Sequence, residues 1–265
     1  MAEPAVDHAT SHPEVNALLA VLLGELPGIL TDKLVGVYLF GSAPTGDFDR
    51  ESDVDVVVVT SENVASNTFT ALAAMHERLA ATDSWCATQL EVSYIPTREI
   101  RRYRPPDVLH PRLDRGRGET LHMMSHDADW VVQRFLIRER GSVLMGPSPD
   151  TLIDPVSADD LRRAMRELLG EWLAPLIESP PVVRTRGYQA FLVLSACRIL
   201  YTLKTGDVVS KRAAALWAEE ALDSRWTPLI RRAWIGRQNP DEPPRPDDLS
   251  DSWSFISHAL EIART

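Results

Sequence analysis

The chain has 265 residues, 44% apolar and 25% charged, enough for one large domain or two ordinary ones with a real core. Its net charge of −10 argues against a nucleic-acid partner, whose phosphates demand a basic surface, and is compatible with a cationic small substrate or simply with solubility. No run approaches the roughly eighteen apolar residues of a membrane span, so no membrane association is expected.

The opening dozen residues read as a frayed tail without the basic and apolar segments of a secretory signal, which points to a cytoplasmic protein. Apolar residues then recur at helical spacing from Val15 to about Leu26. Leu34 to Phe40 is short, apolar and bounded by turn residues, and predicts a buried strand. A loop containing Gly and Asp leads to Val54 to Val59, a stronger strand signal. Asn67 to Ala81 is helix-like, and Gln89 to Ile95 alternates as a third strand closed by Pro96. Thr120 to Met124 and Ser142 to Met145 add short strands, with a helix over about Ala128 to Arg138 between them. Beyond the turn-rich Gly146–Asp150 the patterns are helical only: Ala158 to Leu173, Tyr188 to Thr205, Ser210 to Leu222, Thr227 to Gly236 and Asp251 to Arg264, with a Pro-rich loop over Asn239 to Pro246. The expected architecture is an α/β domain over 1–150, a mixed sheet with flanking helices, followed by an all-α helical bundle over 151–265. The two cysteines, Cys86 and Cys197, sit in apolar contexts and read as buried thiols, with a single disulfide left open.

The sharpest feature is Gly41-Ser42 followed, after ten residues, by Asp53-Val54-Asp55. Gly41 ends a strand where the backbone turns and approaches a ligand closely. Ser42 adds a hydroxyl beside amides able to cradle a phosphate. Residues i and i+2 of a strand share a face, so Asp53 and Asp55 stand side by side. Two such carboxylates repel unless they share a cation, and hard oxygen donors suit Mg²⁺. The alternative is an Asp53 that only caps the loop and an Asp55 held by a hydrogen bond. It fits Asp55 poorly, since four valines follow and an unpaired buried carboxylate costs several kcal/mol, roughly.

This pattern resembles the nucleotidyltransferase superfamily, in which the aspartate pair holds magnesium on a nucleoside triphosphate and a third carboxylate comes from a neighbouring strand. Glu91 is the candidate for that third position; the other reading is an edge-strand glutamate facing water. In the second half, Arg198 interrupts an apolar helix and needs an anionic partner, either a phosphate or a core carboxylate. Lys211 and Arg212 follow the N-cap Ser210, either as a phosphate site or as two solvated cations. Arg198-Ile-Leu-Tyr201, Thr205-Gly206, Ser210-Lys211, Ala214 to Ala218 and Arg225-Trp226-x-Pro228-Leu229 are similar to the helical domain of the streptomycin/spectinomycin adenylyltransferases. Leu144-Met-Gly146-Pro147, Leu152-x-Asp154-Pro155 and Gln89-Leu-Glu91-Val92 fit the same family.

That resemblance implies an enzyme that moves AMP from ATP to a hydroxyl of a small molecule and releases pyrophosphate. It implies Asp53 and Asp55 as Mg²⁺ ligands, Glu91 as the base, Gly41 and Ser42 at the nucleotide, and Arg198 and Lys211 in contact with ATP. It also places Trp234, ahead of Ile235-Gly236, near the nucleotide, where composition alone reads it as core. The helical domain is expected to complete the ATP and acceptor site, in a monomer. Streptomycin-accepting members carry a tryptophan and an acidic residue ahead of the arginine-bearing helix; here that stretch is Pro180-Pro-Val-Val-Arg-Thr-Arg-Gly-Tyr188, which favours spectinomycin. The basic Arg98 to Arg117 stretch leaves an acidic protein or metabolite acceptor open, and a non-catalytic nucleotide sensor is the reading from another class.

Overall fold

The computed structural model describes residues 9–102 and 109–264. The chain divides into two compact units, Met1–Pro155 and Val156–Thr265.

The first unit is built on a six-stranded sheet in the order β5-β4-β3-β2-β1-β6. Its strands are β1 (Leu34–Phe40), β2 (Val54–Thr60), β3 (Leu90–Pro96), β4 (Leu109–Leu113), β5 (His122–Ser125) and β6 (Ser142–Met145). The helices are α1 (Pro13–Leu30), α2 (Ser66–Ala80), α3 (Thr97–Arg101), α4 (Asp129–Arg140) and the short α5 (Pro149–Leu152). The sheet is mixed: β2 and β3 run parallel, while β1 pairs β2 and β6, and β4 pairs β3 and β5, antiparallel.

The valine run of β2 is apolar on both faces because both faces are covered. Val54, Val56 and Val58 join a core with Leu19, Leu22 and Leu26 of α1 and Leu72 and Met75 of α2. Val57 and Val59 join a second core with Trp130 and Ile137 of α4 and Ile100 of α3. A strand buried on both faces shows a continuous apolar run rather than alternation, which is why β2 carries so strong a signal. Taken as a whole helix, Pro13–Lys33 does reach membrane-spanning length with a mean hydropathy of 1.4. Its Val15, Leu19, Leu22 and Leu26 are fully buried in the first core, so that apolarity serves packing.

The predicted tail is held in place at its end. Its first eight residues lie outside the described ones, but Thr10 is tied to the Asn16 side chain by its amide (3.0 Å) and hydroxyl (2.9 Å). The larger departure is β4, absent from the sequence reading because prolines crowd its segment. Pro111 is tolerated because the pairing with β3 involves only Arg112 and Leu113, so the proline lies just past that ladder. The fully buried Arg134 of α4 donates to the carbonyls of Ile100 (2.8 Å), Arg102 (2.9 Å) and Glu99, and so satisfies the C-terminal end of α3.

The second unit is helical: α6 (Ala158–Leu168), α7 (Ala174–Glu178), α8 (Arg186–Thr205), α9 (Lys211–Ala221), α10 (Thr227–Arg237) and α11 (Pro246–Arg264). A capping box of Ser157 and Asp160 starts α6. The predicted helix Ala158 to Leu173 does not run straight through. It widens into a π turn over Leu169–Leu173 just ahead of Pro175, whose missing N–H leaves the Glu171 carbonyl without its helical donor. Helix α8 is the hub, packed against α6, α9, α10 and α11, and Gly206 ends it in the left-handed conformation (φ 73°). Cys86 and Cys197 are both buried free thiols.

Candidate active site

The site grows from where β1 ends and β2 begins. Gly41 follows Phe40 with φ +73°, and Ser42 opens a tight turn, Ala43–Thr45, that Gly46 closes with φ 81°. The rest of the loop is pre-ordered. Phe48 lies between the rings of His12 (4.9 Å) and Trp85 (6.4 Å). The Asp49 carboxylate accepts bonds from the Glu51 amide and the Ser52 hydroxyl, both at 3.0 Å. The chain is thereby delivered to Asp53 in a fixed conformation.

Asp53 immediately precedes β2 and Asp55 is its second residue. Asp55 has the same parity as Val57 and Val59 and therefore shares their face. In the ladder Asp55 stands opposite Phe40 on one side and Glu91 on the other. Glu91 is thus a neighbour of the aspartate pair on one face of the sheet. It lies on an interior strand, so the edge-strand alternative fails.

Gly41 explains how Asp55 is accommodated. A Cβ at Gly41 would lie 2.0 Å from the Asp55 Oδ2, so the carboxylate occupies the space a side chain would fill. Gly41→Ala is expected to displace that carboxylate and to add about 1 kcal/mol of left-handed backbone strain. Turnover should fall by about 100-fold, in line with the sensitivity of catalysis to ångström-scale misplacement, with a small loss of Tm. A steady-state assay beside a thermal melt checks this, and near-normal turnover would show that Asp55 need not sit where it does.

Two guanidinium groups complete the cluster. Arg112 of β4 stands opposite Ser93 and reaches the Glu91 carboxylate at 2.7 Å and that of Asp114 at 2.6 Å. Arg115, in the following turn, pairs with Asp53. Burial and the Asp53 carboxylate push Glu91 above the ordinary carboxylate range, partly offset by Arg112. Burial also raises Asp129, at the start of α4, which Gln133 bonds at 2.6 Å and Arg112 partly offsets. Arg112, Arg115 and Asp129 were not among the candidates from sequence. The signal available was the parity of His110 and Arg112 against Pro111 and Leu113, hidden by the prolines.

Among the described residues, five arginines between positions 98 and 117 are held in ion pairs. Arg98 pairs with Glu99 (2.8 Å), Arg101 and Arg102 with Asp154, and Arg112 and Arg115 with the acidic cluster. Likewise Arg186 is bound to Glu242 at 2.5 Å, which offsets its repulsion of a cation.

In the helical unit Arg198 is half-buried on α8. Lys211 is the first residue of α9, whose N-cap Ser210 accepts from the Ala213 amide (3.1 Å), and its Nζ lies 5.9 Å from the Phe191 ring centroid. Trp234 of α10 is half-buried beneath the Arg237 guanidinium, 5.5 Å from its centroid, and is not sealed in the core.

Two adjacent carboxylates, one of them seated against Gly41, form a set of hard oxygen donors that suits a divalent metal. No three His, Cys, Asp or Glu side chains converge as a metal site among the described residues. A glycine turn after a buried strand, a carboxylate pair opening the next and a third carboxylate in register define a nucleotidyltransferase. Residues 25–107 match the nucleotidyltransferase domain family, and residues 151–260 match the C-terminal domain of the aminoglycoside adenylyltransferases. The chain is 28% identical over 255 residues to an aminoglycoside (3'') (9) adenylyltransferase of Escherichia coli, covering 92% of this chain and 94% of the relative. It is 30% identical over 206 residues to a spectinomycin 9-adenylyltransferase of Staphylococcus aureus, covering 74% and 75%. Its fold is similar to the crystal structure of spectinomycin adenyltransferase from Enterococcus faecialis, with a TM-score of 0.71 at 16% identity over 94% of this chain and 99% of that one. The chain belongs to the aminoglycoside adenylyltransferase family and is an adenylyltransferase.

Proposed function

We propose that the enzyme transfers AMP from ATP to a hydroxyl of spectinomycin and releases pyrophosphate. The observation that carries this reading is the placement of Asp55 and Glu91 as ladder partners beside Asp53, with Gly41 leaving room for the Asp55 carboxylate.

Asp53 and Asp55 would hold Mg²⁺, which when bound offsets triphosphate charge and orients the phosphates. Glu91 would accept the proton of the acceptor hydroxyl as its oxygen bonds the α-phosphorus and the bond to pyrophosphate breaks. Its burial supports this role, because a carboxylate held above its ordinary pKa is a stronger base. Gly41 and Ser42 would bring backbone and hydroxyl to the triphosphate. Arg198 and Lys211 would bind ATP phosphates as charge moves toward the leaving pyrophosphate, with Trp234 near the nucleotide. Spectinomycin is preferred over streptomycin because the stretch ahead of α8 has arginines in place of an acid and a tryptophan, although Arg186 is internally paired. Five arginines of the basic stretch are internally paired, which weakens the reason for an acidic acceptor.

The test is pyrophosphate release from ATP and Mg²⁺ across a panel that includes spectinomycin and streptomycin, with mass spectrometry of each drug. Release with spectinomycin and a gain of one AMP supports the reading. Release with streptomycin alone overturns the preference, and silence across the panel overturns the antibiotic acceptor.

A further inference from the structure

Catalysis as described gives Arg115 no task, yet its position is well specified. The turn that carries it is pinned by the Gly116 amide, which donates to the Thr88 carbonyl at 2.8 Å. From there its guanidinium binds the Asp53 carboxylate and donates to the Glu51 carbonyl (3.2 Å) and the Gln89 Oε1 (3.4 Å). Those acceptors belong to the segments that lead into β2 and β3, the two strands bearing the carboxylates.

Arg112 and Arg115 differ in what they can do. The Arg112 side chain is 15% exposed and holds Glu91, Asp114 and Ser93 together from within the sheet. The Arg115 side chain is 44% exposed and comes from a turn, so it can leave at little cost in packing. A guanidinium and a divalent cation on one carboxylate repel each other, so Asp53 cannot serve both fully.

We propose that Arg115 is a resident counter-cation, which neutralises Asp53 while the site lacks metal and has to be displaced when a divalent cation binds. It offsets the repulsion between Asp53 and Glu91 and keeps the affinity for free metal low, so that metal arrives together with the triphosphate. The inference rests on the assignment of Asp53 as a metal ligand.

The experiment is a titration of the full chain with Mn²⁺ alone, followed by loss of the free-ion EPR signal, for wild type, Arg115→Gln, Arg115→Lys and Asp53→Asn. An exposed ion pair is worth up to about fivefold in an equilibrium constant, so Arg115→Gln should bind Mn²⁺ more tightly by up to about fivefold. Arg115→Lys, which keeps the charge, should stay close to wild type. If Asp53→Asn weakens Mn²⁺ binding while Arg115→Gln does not strengthen it, the counter-cation role falls and the metal assignment survives. If Asp53→Asn leaves Mn²⁺ binding unchanged, the metal assignment falls and takes this inference with it. Absence of binding in every variant also overturns the inference, since removing the competitor would then have exposed no site.

Discussion

Asp55→Asn is expected to reduce AMP transfer by about a thousandfold or more while the protein stays folded. Asparagine has the shape of aspartate, so it fits the space left by Gly41 and disturbs neither the Phe40 nor the Glu91 pairing of the ladder. What it removes is a negative charge from a position where a metal is expected to be held. Loss of several kcal/mol of transition-state stabilisation corresponds to about three orders of magnitude, at about 1.4 kcal/mol per decade. Asp53→Asn should behave alike in turnover but differ in its local effect, because it also frees the Arg115 guanidinium. Drug modification measured by mass, beside a thermal melt, separates loss of chemistry from loss of fold. Full activity in either variant would remove the metal role from that residue.

The reasons why some of this arrangement was readable from sequence are physical. Strands β1, β2 and β3 bury one or both faces, so their apolar runs are long and their bounds fell within a residue or two of the expected ones. The aspartates stand out because charge at the mouth of a valine run has few structural uses. Glu91 is different in kind. Its sequence neighbours give only a strand, and its standing beside Asp55 follows from parallel pairing of β2 with β3, a long-range choice that no local pattern encodes. Strand β4 was missed because Pro105, Pro106 and Pro111 read as breakers, and with it went Arg112 and Arg115. The same holds for Arg98 to Arg117. A run of arginines looks like a surface for an acidic partner, whereas folding gives Arg101, Arg102, Arg112 and Arg115 partners among the chain's own Asp53, Glu91, Asp114 and Asp154. The π turn ahead of Pro175 was missed for a similar reason, since apolar spacing continues across it while the backbone ladder does not.

Glu91→Gln is the second large effect, with turnover expected to fall by about 100- to 10,000-fold, the range over which a positioned base contributes. Glutamine keeps the size of the side chain and an oxygen for Arg112, so ATP affinity measured by calorimetry should hardly move. The pH dependence adds a second readout. Burial and the nearby Asp53 raise Glu91 above the ordinary carboxylate range, with Arg112 opposing in part. A base is competent only when deprotonated, so wild-type turnover should show an acid limb set by Glu91. For stability the sign is opposite to that of a salt-bridged carboxylate. Between its unfolded and folded pKa values the folded state binds more protons, so stability falls as pH rises through that window and the ionised group is a net cost at neutral pH. Glu91→Gln should therefore lose the acid limb of the residual rate and melt no lower than wild type at neutral pH. An unchanged rate would strip Glu91 of the base role. A slow variant that keeps the wild-type acid limb would assign that limb to another group, with the half-buried Asp129 first in line.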